Sequence, residues 1–400
     1  MKVKAKIKNP YAIFIVITFF EVFSMEGDEN YKILAKKLDA SVQGLSPLGT
    51  QGNISITWIQ YLKTLLTPEE VKYIIHLPVF PSFISVGKYA KKIGMTKEEA
   101  QKILNALFET DCVMTLGKEK KSYAIHFPLF IFDAPPLAFD KYPPEKTKKL
   151  AELSYKYLVE EEWYKNFEGS AETPLSRVIP VQESIKSESS IIPYENVEKL
   201  VDNATTLAIQ VCACRKRLEV LGKRECTEKY PLETCIAIDA GAEYTIARGH
   251  GREITKEEAK KYLKKFNEMG LIHCTENFAE GSHNLICNCC KCCCNLIGGI
   301  TRWDNPRAVA AANYIANVIE PENCIKCNVC VDNCNFKAIT VSNFGPIINK
   351  DKCMGCGVCV VNCPENIIEL KRLEREVIYK DLAQLGLKVV KETNREIKLF

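Results

Sequence analysis

Several features are scarce in this 400-residue chain, and each scarcity closes off a class of function. A bilayer-spanning helix takes about 20 apolar residues, whereas the amino-terminal run from Tyr11 to Phe20 offers ten. Lys2, Lys4, Lys6 and Lys8 precede that run in the manner of a signal peptide. Glu21 follows it at once, however, and no small-x-small cleavage site appears. A buried strand or helix is expected there instead. Charge of one sign is also lacking. A net charge of +4 makes no general case for nucleic acid or an anionic membrane as a partner. There is no phosphate loop, no G-x-G-x-x-G turn and no Ser/His/Asp set, which argues against a flavin or nicotinamide site. Of the five histidines, only His250, His273 and His283 lie near cysteines, and they are expected to be structural or exposed.

Cysteine is abundant. The chain has 20, and all but Cys112 lie between Cys212 and Cys363 in closely spaced sets. A disulfide scaffold would normally be short and secreted. Ordinary hydrophobic (46%) and charged (26%) fractions over this length suggest two to four globular domains.

The most ordered set is Cys324-x-x-Cys327-x-x-Cys330-x-x-x-Cys334, repeated 29 residues on as Cys353-x-x-Cys356-x-x-Cys359-x-x-x-Cys363-Pro364. Two-residue gaps let the backbone curl around an iron–sulfur cube and aim three thiolates inward. This spacing resembles the bacterial-type ferredoxin with two 4Fe–4S clusters, in which the fourth cysteine of each run ligates the other cluster. That resemblance assigns Cys324, Cys327, Cys330 and Cys363 to one cluster, and Cys334, Cys353, Cys356 and Cys359 to its mate. Asn335 departs from the pattern by standing where the second run has Pro364, although asparagine also suits a turn. Apolar runs after each cysteine run, Ala338–Val341 and Ile367–Leu370, are expected as short strands screening the clusters.

Ten further cysteines form two groups. In the first, an apolar strand leads into Cys212 and Cys214, which alternation would place on one face. Cys226 and Cys235 follow in a loop. Four thiolates suffice for one 4Fe–4S cluster or one zinc, and Arg215, Lys216 and Arg217 could offset their charge. The second group packs Cys287, Cys289, Cys290, Cys292, Cys293 and Cys294 into eight residues. On a helix, Cys287, Cys290 and Cys294 would share one face; on a strand, Cys287 and Cys289 would share one, and Cys290, Cys292 and Cys294 the other. Six thiols cannot converge on one mononuclear metal, so an additional cluster, a redox thiol pair or a soft-metal site is expected. Lone Cys112 and Cys274 read as buried packing.

Elsewhere, Thr67-Pro68-Glu69-Glu70 and Thr96-Lys97-Glu98-Glu99 open helices as capping boxes. A hairpin follows with its turn at Gly117–Lys121. Three helices and this β-wing predict a winged-helix domain over 67–130. Its third helix sets Lys97 and Lys102 against Glu98, Glu99 and Glu109, so duplex DNA is not the expected partner. Thr255-Lys256-Glu257-Glu258 repeats the capping box 159 residues later.

The chain therefore reads as an α+β multidomain protein. An extension of unclear fold (1–66) precedes the winged-helix-like domain (67–130). A Pro/Ser-containing linker with one helix (131–193) leads to a cysteine-rich α+β middle domain (194–317). A ferredoxin-like (βαβ)2 domain (318–377) and a tail (378–400) complete it. The cysteine segments together are similar to 4Fe–4S ferredoxin-type proteins of anaerobic archaea and bacteria. The resemblance implies an iron–sulfur electron-transfer protein in a reducing cytoplasm, with two 4Fe–4S clusters, one additional 4Fe–4S cluster or zinc, and a redox partner protein. Two alternatives are an oxidoreductase whose middle-domain centre reduces a substrate, and a redox-responsive regulator using the winged helix.

Overall fold

A computed structural model describes residues 29–38, 54–117, 120–162, 171–185, 196–281, 283–373 and 379–393. The amino-terminal apolar run lies outside these residues, as do residues 186–193 of the expected linker. The described chain is mixed helix and sheet.

Near the amino terminus, helix Pro68–Ile74 is followed by β1 (Ile84–Ser85), helices Val86–Ile93 and Lys97–Phe108, and the hairpin β2 (Val113–Leu116) and β3 (Ser122–Ile125). The three strands form an antiparallel sheet in the order β1-β3-β2. All three capping boxes form. Thr67, Thr96 and Thr255 each accept the backbone N–H of the glutamate three residues on, and that glutamate accepts the threonine's N–H in return. Two otherwise orphaned amide donors are satisfied at each helix start.

The segment expected as a proline-containing linker is instead part of the amino-terminal core up to residue 160. Helix Pro128–Leu137 and helix Pro144–Tyr155, which widens into a π turn over Lys156–Glu160, pack against helix Ile56–Leu65. The ring of Trp58 lies 4.6 Å from Phe132 and 5.7 Å from Tyr157, centroid to centroid. Pro135 and Pro136 sit inside a helix, which frees the carbonyls four residues earlier because proline has no N–H. Both carbonyls find other donors. Tyr61 donates to the Ile131 carbonyl at 2.9 Å, and Arg217 donates to the Phe132 carbonyl at 2.6 Å. Residues 29–38 and 54–66 join this same core through Tyr31, Leu34, Trp58 and Leu62.

The middle unit is built on six antiparallel strands: β4 (Ser176–Ile179), β5 (Leu207–Val211), β6 (Glu233–Ile238), β7 (Gly251–Glu253), β8 (Ile272–Glu276) and β9 (Leu285–Cys289). Their order is β4-β8-β9-β6-β5-β7. One face buries Ile209, Ile236 and Ile286 with Leu263 and Phe266 of helix Lys256–Glu268. On the other face Ala208 and Ala237 meet Ala242 of helix Ala240–Ala247. Those small side chains leave room above the sheet.

At the carboxyl end, β10 (Tyr314–Val318) pairs with β13 (Ile368–Arg372), and β11 (Ile339–Ser342) pairs with β12 (Gly345–Ile348). The short helices Val329–Asp332 and Val358–Val361 lie between them. The tail returns to the body. In helix Leu382–Thr393, Glu392 accepts the Thr173 N–H at 2.8 Å.

Trp58→Ala should lose about 3–5 kcal/mol of stability, the range for emptying a buried aromatic site. Urea unfolding followed by circular dichroism checks this, and a loss below about 1 kcal/mol would contradict the shared core.

Candidate metal and thiol centres

The two carboxyl-terminal cysteine runs fold alike because their backbones repeat. Lys326, Asn328 and Lys337 take positive φ (58°, 61°, 51°), and so do Gly355, Gly357 and Asn366 at the same offset (66°, 79°, 53°). These left-handed residues reverse the chain between successive cysteines so that the sulfurs turn inward. Gly355 is required twice over, since a Cβ there would run into the Tyr314 carbonyl as well as strain the backbone.

Two small cavities result. Cys324, Cys327, Cys330 and Cys363 line one, while Cys334, Cys353, Cys356 and Cys359 line the other. Cys327 is exposed, whereas Cys359 is buried. Burial pushes the Cys330 thiol up to about 11 and the Cys356 thiol up to about 12. Backbone N–H groups point at sulfur in both cavities, from Lys326 to Cys324 (3.4 Å), Ala338 to Cys334 (3.2 Å) and Ala316 to Cys353 (3.5 Å). Such bonds favour a thiolate and tune a bound cluster.

In the middle unit the ten cysteines divide differently from their order in sequence. Cys226 leaves its sequence neighbours and joins Cys290, Cys292 and Cys293, with all four sulfurs within 4.8 Å of one another. Cys226 lies 3.6 Å from Cys293, and Cys292 lies 3.6 Å from both Cys290 and Cys293. A zinc–thiolate bond of about 2.3 Å gives a tetrahedron whose sulfurs are about 3.8 Å apart. Thiolates on the corners of a 4Fe–4S cube stand roughly 6 Å apart, because each projects outward from its own iron. The donor set fits one tetrahedral ion and is too tight for a cube.

The remaining six form a closed ring. Each thiol neighbours the next, from Cys212 to Cys214, on to Cys294, Cys289, Cys287 and Cys235, and back to Cys212. Cys274 of β8 touches the ring through Cys289. Strand alternation does put Cys287 and Cys289 of β9 on the ring together, but it does not explain Cys212 and Cys214. The pairing of β5 with β6 slips after Gln210. Cys212 then donates its N–H to the Leu232 carbonyl (2.8 Å) and starts helix Ala213–Val220, whose first turn carries Cys214. Cys235 lies on β6, not in the expected loop.

Arg215 separates the two thiol sets and is completely buried. Its guanidinium donates to the Asn288 carbonyl at 2.9 Å and to Thr234, and lies over the Tyr230 ring. Its charge faces Cys212 and Cys235 of the ring and Cys290 of the four-thiol site. Hydrogen bonds from Cys226, Cys292 and Cys293, with Arg215 beside them, hold the Cys290 thiol far below its ordinary range. The other two basic residues serve elsewhere. Lys216 pairs with Asp140 (3.1 Å), while Arg217 pairs with Asp133 (3.1 Å).

Asn335 is the residue that sequence reasoning undervalued. Its side chain accepts the Lys291 N–H (2.9 Å) and donates to the Gly270 carbonyl (3.0 Å). It ties the carboxyl-terminal unit to the turn bearing Cys290 and Cys292, which a proline could not do. The histidines have other partners: Asn288 for His273 (2.6 Å), Thr275 for His283 (3.0 Å) and Asp111 for His250 (3.1 Å).

The family described as 4Fe-4S dicluster domain matches residues 323–368, which span both carboxyl-terminal runs. No curated protein and no solved structure matches the chain. The carboxyl-terminal unit is a ferredoxin-type iron–sulfur domain. Among the described residues no helix is long and apolar enough to cross a membrane.

Asn335→Ala should cost about 1–3 kcal/mol, since the buried Gly270 carbonyl and the part-buried Lys291 N–H lose their partner. A fall in the thermal unfolding midpoint checks it, and an unchanged midpoint would contradict the tie. A pH dependence follows from burial, which holds His273 down to about 4 and His126 down to about 3. Below about pH 6.5 the unfolded chain binds protons at these positions that the folded chain refuses. Stability is therefore full above 6.5 and falls as pH drops toward 4. Urea midpoints across that window should decline, and less steeply in His273→Gln. Identical slopes would contradict the assignment.

Proposed function

We propose that this iron–sulfur protein carries electrons from a redox partner protein through two 4Fe–4S clusters to the thiol ring of its middle unit. One observation carries the reading: each carboxyl-terminal cavity collects three cysteines of one run and the fourth of the other. Cys324, Cys327, Cys330 and Cys363 would hold the outer cluster, and Cys334, Cys353, Cys356 and Cys359 the inner one. Each cluster, when bound, supplies a one-electron carrier at a potential set by its hydrogen bonds and exposure.

The direction follows from exposure and packing. The outer cavity opens beside Cys327 and Ile325, the latter 60% exposed, with Val341 and Pro346 on its wall. This apolar rim suits docking of a redox partner protein. The inner cavity lies toward the middle unit, where Cys334 and Cys356 pack in the same cluster as Cys274, Cys289 and Cys294. In this reading the six ring thiols hold the further centre, an iron–sulfur cluster. Cys226, Cys290, Cys292 and Cys293 hold one zinc ion. A zinc with four protein thiolates has no open position and no redox chemistry, so its role is to fix the turn between ring and ferredoxin unit. The β1-β3-β2 sheet and its helices support a winged-helix unit used for packing or docking. With all 20 cysteines unpaired, a reducing cytoplasm is the matching compartment.

Protein purified without oxygen tests this. Cys330→Ser and Cys356→Ser should each lower iron by up to about four per chain and alter the electron paramagnetic resonance of the reduced protein. Cys292→Ser should lower zinc and leave that spectrum unchanged. Iron content unaffected by both ferredoxin-unit variants would refute the assignment.

A further inference from the structure

The ring of thiols is not enclosed by sheet and helix alone; it floors a chamber. The chamber measures about 280 Å³, against about 20 Å³ for each ferredoxin cavity by the same measure. A cluster alone does not need that volume. It also approaches the roughly 300–1,000 Å³ common for small-molecule sites. The walls come from three stretches of the chain: Phe80, Met114 and Phe130 of the amino-terminal unit, Tyr244 and Leu285 of the middle unit, and Leu385 of the returning tail.

Four buried polar atoms of the wall residues have no hydrogen-bond partner: Arg215 Nε, Asn295 Nδ2, His126 Nε2 and the Tyr244 hydroxyl, the last two on rings in contact with each other. Those two rings meet edge to face at 4.9 Å, and His126 as a whole is only 4% exposed. Buried polar atoms without partners are costly, and two of them side by side in one chamber mark where a ligand atom sits. By contrast, the three charged side chains on the wall are already matched. Asp133 faces Arg217, Arg215 faces the thiols, and Glu276 accepts from Asn284. Burial keeps His126 uncharged. The chamber therefore offers no free charge to an ionic ligand.

We propose that this chamber binds a neutral aromatic molecule whose single oxygen function, a hydroxyl or carbonyl, hydrogen-bonds to His126 and Tyr244 while its ring lies over the six cysteines. Phe130, packed 4.2 Å from His126 and 5.5 Å from Tyr244 between ring centroids, gives the ligand ring an aromatic wall. The proposal rests on the role given above to the thiol ring only for what happens to the ligand afterwards; binding itself does not depend on it.

The test is calorimetric titration of the anaerobically purified full-length protein with 2-naphthol, naphthalene and 2-naphthoate. Iron and zinc are assayed on the same samples. One 2-naphthol should bind per chain, more tightly than naphthalene, with 2-naphthoate at least tenfold weaker. His126→Phe should weaken 2-naphthol up to about tenfold, the usual worth of one hydrogen bond, and leave naphthalene unchanged. Met114→Trp should abolish binding of both by filling the chamber. Absence of saturable 2-naphthol binding would overturn the proposal, as would binding that neither variant alters or equal affinity for the anion. Missing iron with intact 2-naphthol binding would refute the cluster assignment and leave the chamber standing.

Discussion

The distance between sulfur atoms is the constraint on which this structure depends. Four thiolates about 3.8 Å apart suit one tetrahedral ion, whereas a cube needs them roughly 6 Å apart. The middle unit meets the first requirement with one set of cysteines. It keeps a second set of six apart from the first by a buried arginine. Arg215 can occupy that position because thiolates on both sides compensate it; an unpaired guanidinium there would be prohibitively costly. The charge of the two thiol sets and the packing of the core are therefore one problem, solved by one residue.

The surrounding architecture carries that spacing outward. Arg217, two residues on, supplies a donor that the proline-bearing helix Pro128–Leu137 cannot supply for itself. This locks the amino-terminal unit onto the helix that carries Cys214. Asn335 does the corresponding work on the other side, joining the ferredoxin unit to the turn of Cys290 and Cys292. The three units consequently meet at the thiols, and the chamber above the ring is completed by the amino-terminal unit, the middle unit and the tail together.

The parts legible in sequence were those governed by local rules. Capping boxes at Thr67, Thr96 and Thr255 depend on residues three apart, and they formed as written. The carboxyl-terminal runs are a tandem repeat, so their backbone reversals repeat as well. The grouping of the middle cysteines was not legible because it depends on strand order. Nothing local to Cys226 shows that β9 will deliver Cys290, Cys292 and Cys293 to it. Cys212 and Cys214 were misjudged because a slip in β5–β6 pairing turns an apparent strand into a helix start. The linker reading failed for a different reason. Pro135 and Pro136 do break helical bonds, but donors distant in sequence, Tyr61 and Arg217, take up the freed carbonyls.

The most direct measurement is X-ray absorption at the zinc edge of the intact, anaerobically purified chain, with iron and zinc counted on the same sample. The division of the middle cysteines predicts one zinc per chain, surrounded by four sulfurs at about 2.3 Å and no nitrogen or oxygen. It also predicts more than about eight irons per chain, the surplus lying in the ring. A fully loaded protein without zinc, or with zinc bound through lighter atoms, would contradict the four-thiol site. Iron at or below about eight would contradict the ring as a further cluster.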